Sequence, residues 1–552
     1  MKKQITKIVV IISIATTSIF TFGFADSYFE VSKNLDIFST LFRELNIYYV
    51  DDADPGELMK TGIDAMLKSL DPYTNYIPES KMEDYRMMTT GQYGGIGALI
   101  QTQGDKVVIS EPYEGFGAFK AGLRAGDKII KIDGNEAVGK SSSEIRDFLL
   151  GQPGTTVEII IERPGTDGLL TKIVTREEVK IKDVPYAGMV GDSIGYIRLT
   201  GFTSSASSEV KTALNDLKQQ GAKAIILDLR GNGGGLLRES VNIVNLFVEK
   251  GTPVVSTRGK IKSWDQEYKA LSMPIDTEIP LAILVNGGSA SASEIVSGSL
   301  QDNDRAVILG SLSFGKGLVQ HVKDLSYNTK LKVTVAKYYT PSGRCIQKLD
   351  YSHRNKDGKV DEIPDSLITE FKTLKSKRSV FDGQGISPDI KIDSKLLSDI
   401  SASLLFKNLF FSYATEYRLK HETINKINEF SLTDEEYENF VHYLSGKDYE
   451  YTTESEDILI TLEKAAKNDK YFEDVKKEYE ALKNKLHHNK KDDLYKFKDE
   501  IKYILESEIV SRYYYQKGQI EISLKHDLVL EEAIKTLNNK DLYNSILAGT
   551  NK

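Results

Sequence analysis

The chain has 552 residues, 40% of them apolar and 28% charged, with a formal net charge of −8. That length exceeds what one compact core accommodates, so roughly three or four domains are expected, and the balance excludes both a disordered chain and a multi-span membrane protein. The negative balance lacks the basic footprint of a nucleic-acid binder, and the single cysteine, Cys345, excludes an intramolecular disulfide or a cysteine metal cluster.

In chain order, Lys2, Lys3 and Lys7 precede an uncharged, mostly apolar run from Ile8 to Phe24, which closes on Gly23-Phe24-Ala25 before Asp26. A basic start, an apolar middle and small residues before a cut are the parts of a secretory signal. Residues 1–25 are therefore read as a signal peptide or membrane anchor, with the body of the protein exported to the periplasm or cell envelope. Residues 26–90 read as helical: Leu35, Phe38, Leu41 and Phe42 recur at helical spacing, Met59, Ile63, Met66 and Leu67 repeat it, and Asp71-Pro72 closes the pair. The turn Gly94-Gly95-Ile96-Gly97 then opens short strands at 98–101, 107–110, 128–132 and 157–161. From Ile194 the pattern becomes strand, helix, strand. The runs AIILDL from Ala224 and LAILV from Leu281 have the unbroken apolar texture of a buried parallel sheet. Beyond Pro388 there is no proline and only three glycines among dense Lys, Glu, Leu and Tyr, which predicts a separate, mainly helical domain.

Three stretches can carry chemistry. Asn286 to Glu294 (NGGSASASE) leaves a buried strand for a helix and is crowded with small residues, so a serine can sit at a helix N-terminus beside N–H groups that stabilise an oxyanion. Ordinary N-capping by serine is the plainer reading. Gly310 to Gly317 (GSLSFGKG) matches a phosphate-binding loop, but Gly317 stands where a Ser or Thr would hold magnesium, and the next residues alternate like a strand. What remains is a lysine between two glycines, whose amine becomes a general base if desolvated. Asp228 to Gly235 (DLRGNGGG) follows the carboxyl end of a strand, where open α/β sheets bind ligands.

Together these stretches, with KYYTPSGR after them, resemble the carboxyl-terminal processing (tail-specific) serine proteases. The resemblance spans about residues 35–392 and includes SLDPYTNYI, the GGIG turn, AGLRAGDKIIKIDG and DGQGISPDI. It implies Ser291 as nucleophile, Lys316 as base and Gln320 as the group orienting the lysine. The 25 positions from Ser291 to Lys316 fit the spacing of that family, and the resemblance thereby implies Ser291 over Ser289 and Ser293. It also implies the backbone N–H groups of Gly235 and Ala292 as oxyanion donors. Gln320 suits its role because an amide oxygen holds the amine without adding a charge that would raise its pKa. His321 is the rival base, but strand alternation turns it away from Gln320.

Residues 91–180 resemble a PDZ domain, a module that adds a peptide to a sheet edge and holds its terminal carboxylate in a nest of N–H groups; Gly94, Gly95, Ile96 and Gly97 are the candidate nest. The expected architecture is thus multidomain α/β: a helical N-terminal lead-in (26–90), an inserted PDZ-like β-rich domain (91–180), an α/β Ser–Lys protease core (181–393, with 26–90 contributing) and a helical C-terminal domain (394–552). Dimerisation, partner docking and substrate capture are candidate roles for that last domain. The expected activity is an exported serine endopeptidase that trims or degrades envelope proteins from free, apolar C-termini, with no metal, cofactor or nucleic acid. The rival from another class is a non-catalytic peptide-binding scaffold.

Overall fold

The computed structural model describes residues 28–355, 358–393, 397–486 and 490–550, so the expected signal segment 1–25 lies outside the described residues. The chain divides into two units: residues 1–76 with 322–325 and 330–333, and the remainder. In the first unit, residues 28–48 are helical. A second helix, Pro55–Lys68, starts where Asp54 accepts the Glu57 N–H and proline takes the first helical position. Asp71 then receives the N–H groups of Tyr73 and Thr74 and the Thr74 hydroxyl, which stops the helical path where Asp71-Pro72 predicts a stop.

The larger unit holds the rest. Its PDZ-like part is a sheet ordered Ala98–Gln103, Lys106–Pro112, Lys128–Ile132, Thr156–Glu162, Leu169–Thr175. Alternation builds it: Val157, Ile159 and Ile161 are buried while Thr156 and Glu158 face water. The inner residues meet Ile145 and Leu149 of the helix Ser142–Leu149, whose start is fixed by a reciprocal Ser141–Glu144 capping box. Ala98–Gln103 is one edge of the sheet and Leu169–Thr175 the other.

The next sheet runs Tyr186–Val190, Ile194–Arg198, Ala224–Asp228, Leu281–Val285, Val307–Gly310, Ile390–Lys391, antiparallel in its first pair and parallel thereafter. Both faces are covered, which is why its strands read as unbroken apolar runs. Ile225, Leu227, Leu281, Ile283 and Val285 pack against Val210 and Leu214 of helix Ala206–Gln219, Val244 of Leu237–Asn245 and Val296 of Ala292–Asp302. On the other face Ala224, Ile226, Ala282 and Leu284 meet Val529, Leu530, Leu537 and Ile546 of helices Leu528–Asn538 and Lys540–Leu547. The segment expected as one separate domain over 394–552 therefore serves two cores. Residues 399–523 carry a helical core of their own around Phe410, Phe440, Ile501 and Ile509, and the last two helices complete the α/β sandwich. The alternate residues of each strand need a second apolar layer, and among the described residues no helix between 181 and 393 supplies it.

Candidate active site

The strand Leu281–Val285 ends in a turn whose polar groups are nearly all assigned. The Asn286 side-chain oxygen accepts the N–H groups of Gly288 and Gly231, at 3.0 and 2.9 Å, and so pins two loops together. Ser289 is fully buried; its hydroxyl donates to the Leu229 carbonyl and accepts the Asn286 N–H. Ser293, equally buried, donates to the Asn232 carbonyl at 2.8 Å. The outer two serines are structural. Ser291 between them is half-buried and stands at the N-cap of helix Ala292–Asp302 with φ 56° and ψ −112°. A non-glycine residue in that region is strained and must be held there by its surroundings.

The holding groups are identifiable. The Glu294 carboxylate, fully buried, accepts the Ser291 N–H at 2.7 Å, the Ser313 hydroxyl at 2.6 Å, the Gly315 N–H at 2.7 Å and the Lys316 N–H at 2.9 Å. One side chain thereby ties the serine turn to the lysine turn. Burial pushes the Glu294 carboxyl above its usual range, and the four hydrogen bonds pull it back only in part. Tyr338 adds a second tie: its buried hydroxyl donates to the Ser291 carbonyl at 3.2 Å and its N–H to the Gly317 carbonyl at 2.9 Å. Sequence reasoning takes Glu294 only as first-turn capping material and passes over Tyr338. The spacing of Ser291 and Glu294 marks a capping box, but its other partners are not encoded locally.

The glycine-rich loop closes on the same serine. Asn232, buried, accepts the Gly234 N–H at 2.9 Å, donates to the Leu199 carbonyl, and offers its own carbonyl to the Ala290 N–H at 3.0 Å. Gly234 has φ 97°, and a Cβ there would lie 2.9 Å from both the Ser291 Cβ and the Ala292 nitrogen. Only glycine fits that approach. Gly235 follows, paired in an isolated parallel bridge with Phe202, and Ala292 is the first residue of its helix, whose N–H no helical carbonyl can satisfy.

Lys316 is half-buried, in the loop before strand Leu318–Asp324. The match to a phosphate-binding loop thus runs into a strand, without the helix such a loop needs. Gln320 donates its amide N–H to the Thr334 hydroxyl at 3.1 Å. His321 is exposed and stacks on Trp264, ring centroids 6.1 Å apart. Beneath the loop, Asp228 is fully buried and receives Tyr196, Arg198 and Arg230. Burial pushes its carboxyl up, but the Arg230 and Arg198 guanidiniums and the tyrosine more than offset that, leaving it at about 2.

The candidate carboxylate nest is not one row of open donors. Gly94 and Gly95 lie in a two-stranded ladder opposite Glu178 and Glu177, and the Gly94 N–H donates to the Glu83 carboxylate at 3.1 Å. Gly94 is therefore spent within the chain. Ile96 is buried in the PDZ-like core, and Gly97 leads into the edge strand Ala98–Gln103.

Comparison with known proteins agrees with this layout. The model of peptidase family S41 matches residues 193–352, a PDZ-domain model matches 108–163, and the C-terminal helical domain of probable PDZ-proteases matches 400–537. A carboxy-terminal-processing protease of Bartonella bacilliformis is 39% identical over 319 residues, covering 57% of this chain and 73% of that protein. The carboxy-terminal processing protease CtpA of Bacillus subtilis is 28% identical over 438 residues, 78% of this chain and 91% of its own. Among solved structures, the photosystem II D1 C-terminal processing protease is 31% identical with a TM-score of 0.34, covering 65% of this chain and 93% of that one.

Proposed function

The chain belongs to the carboxy-terminal-processing proteases of peptidase family S41, and from that premise we propose that its serine chemistry runs through a Ser291–Lys316 pair. The Ser291 hydroxyl attacks the scissile carbonyl while the neutral Lys316 amine takes its proton. The carbonyl oxygen, now an anion, is held by the N–H groups of Ala292 and Gly235. Lys316 passes the proton to the leaving amine, an acyl-enzyme remains on Ser291, and water activated by the same amine releases it. Gln320 holds the amine through its amide oxygen.

The observation that carries this reading is the Glu294 carboxylate, which binds the backbone of Ser291 and of Lys316 at once while Ser289 and Ser293 are committed elsewhere. Substrate is protein or peptide. Its free C-terminus docks as an added strand on Ala98–Gln103, the edge beside helix Ser142–Leu149, with an apolar last residue preferred. Export to the cell envelope follows from the reading of residues 1–25 and is tested by N-terminal sequencing of the mature protein in fractionated cells.

The test of the chemistry is cleavage of an unfolded protein ending in apolar residues. Ser291→Ala and Lys316→Ala should each abolish it, and cleavage persisting in either overturns the assignment. A substrate whose terminus is blocked as an amide should bind more weakly; equal binding removes the carboxylate from recognition.

A further inference from the structure

The Arg230 side chain does not end inside the protease sheet. Its guanidinium spans two carboxylates: Asp228, at 2.6 Å, and Asp527 from beyond the C-terminal helical core, in a two-pronged contact at 2.9 and 2.5 Å. Arg198 also binds Asp228, at 2.7 Å. The sheet and its loop alone thus place two guanidiniums on one buried carboxylate, and Asp527 supplies the charge that balances the group. Arg230 is followed at once by Gly231 to Gly235, the loop that packs against Ser291 through Gly234. Asp527 is itself fixed, because its side chain caps helix Leu528–Asn538 by accepting the N–H groups of Val529 and Leu530.

We propose that Asp527 is a positioning residue of the active site: by locking the Arg230 fork it sets the Gly231–Gly235 loop, and with it the Gly235 oxyanion donor, so that the C-terminal segment is a working part of the protease. This rests on Gly235 serving as that donor. A glycine-rich loop has little internal restraint, so its donor is only as well placed as the groups at its two ends. At the Gly231 end Asn286 ties the backbone and Arg230 is tied by a charge 297 positions away; Asn232 holds Gly234, and the Gly235 end pairs with Phe202. An arginine fork is directional, so a bidentate carboxylate fixes orientation as well as charge.

The test uses the full chain and separates charge from capping. Asp527→Asn keeps an N-cap as good as aspartate but removes the charge. It should lower kcat about tenfold, short of the roughly hundredfold that outright loss of an oxyanion donor brings, with KM within about twofold. Amide hydrogen exchange at 231–235 should quicken while helix Leu528–Asn538 stays protected, and Asp527→Glu should recover part of the rate. In a double-mutant cycle, Asp527→Asn placed on Arg230→Met should cost nothing further. Wild-type kcat, unchanged exchange at 231–235, or a fall in kcat accompanied by loss of protection throughout 528–547 each overturns the proposal. Cleavage surviving in Ser291→Ala would instead defeat the oxyanion reading beneath it. Exchange at 231–235 reads the loop without reference to activity.

Discussion

Glu294 is the residue on which the two halves of the site depend. A glutamine there has one acceptor oxygen instead of two. Its best orientation turns the NH2 toward Ser313, whose hydroxyl can accept, but the Gly315 N–H beside it then has no acceptor. A buried N–H left unpaired costs about 1–3 kcal/mol. Glu294→Gln should therefore lower Tm and reduce kcat by about tenfold or more, because the lysine turn shifts against the serine. Wild-type kcat in a folded Glu294→Gln protein would show that the carboxylate does not set the geometry. Asp228 makes a pH-dependent contribution whose sign follows from its depressed pKa of about 2. The stabilisation is present above the unfolded value near 4, and is lost as pH falls through that value toward about 2, worth about 2 kcal/mol in all. The unfolding free energies of wild type and Asp228→Asn should converge by that amount between about pH 5 and pH 2; a constant difference would count against it.

Among the elements, helix Lys498–Ser523 is broken at Tyr515, with φ 53° and ψ −158°. A break frees N–H groups that the helix would have satisfied. The Gln516 N–H is taken by the Glu111 carboxylate of the PDZ domain at 2.9 Å, and the Tyr515 ring meets Phe119 edge-on at 5.8 Å. Glu111 thus caps a half-helix in another domain, where an N-cap is worth about 0.5–2 kcal/mol. Glu111→Ala should quicken amide exchange at 516–518, and Glu111→Gln, which keeps an acceptor oxygen, should not. Equal exchange in wild type and the alanine variant would mean that the packing alone holds the break. Local sequence predicts a helix over this stretch but not its interruption, since Tyr515 carries no breaker and the cap lies 405 positions away.

For the whole molecule, the C-terminal helices decide what counts as the protease core. Val529, Leu530, Leu537 and Ile546 cover one face of the catalytic sheet. Burying four such side chains is worth about 6–12 kcal/mol, as an upper estimate. That is comparable to the entire stability of a typical domain, about 5–15 kcal/mol. A chain ended after Ser523 should therefore give an unfolded or aggregated protein, whereas loss of an independent appendage would leave a soluble, folded core. Circular dichroism and size-exclusion chromatography of the truncated chain decide between them.

The sequence by itself determined the strands, because alternation and unbroken apolar runs depend on neighbours two residues apart. It also determined the helix start after Ser291, because a cap reaches only three residues ahead. It carried the family, because the glycines around Ser291 and Lys316 answer to steric needs that few other residues meet. Only the tertiary structure decided that Ser289 and Ser293 are spent, that Tyr338 holds the Ser291 carbonyl, that Gly94 gives its N–H to Glu83, and that Asp527 completes the charges under Gly231–Gly235. Each of those contacts joins residues that are distant in the chain or belong to different turns. A hydrogen bond or ion pair of that kind leaves no periodic trace in the sequence, since its geometry exists only once the layers have packed.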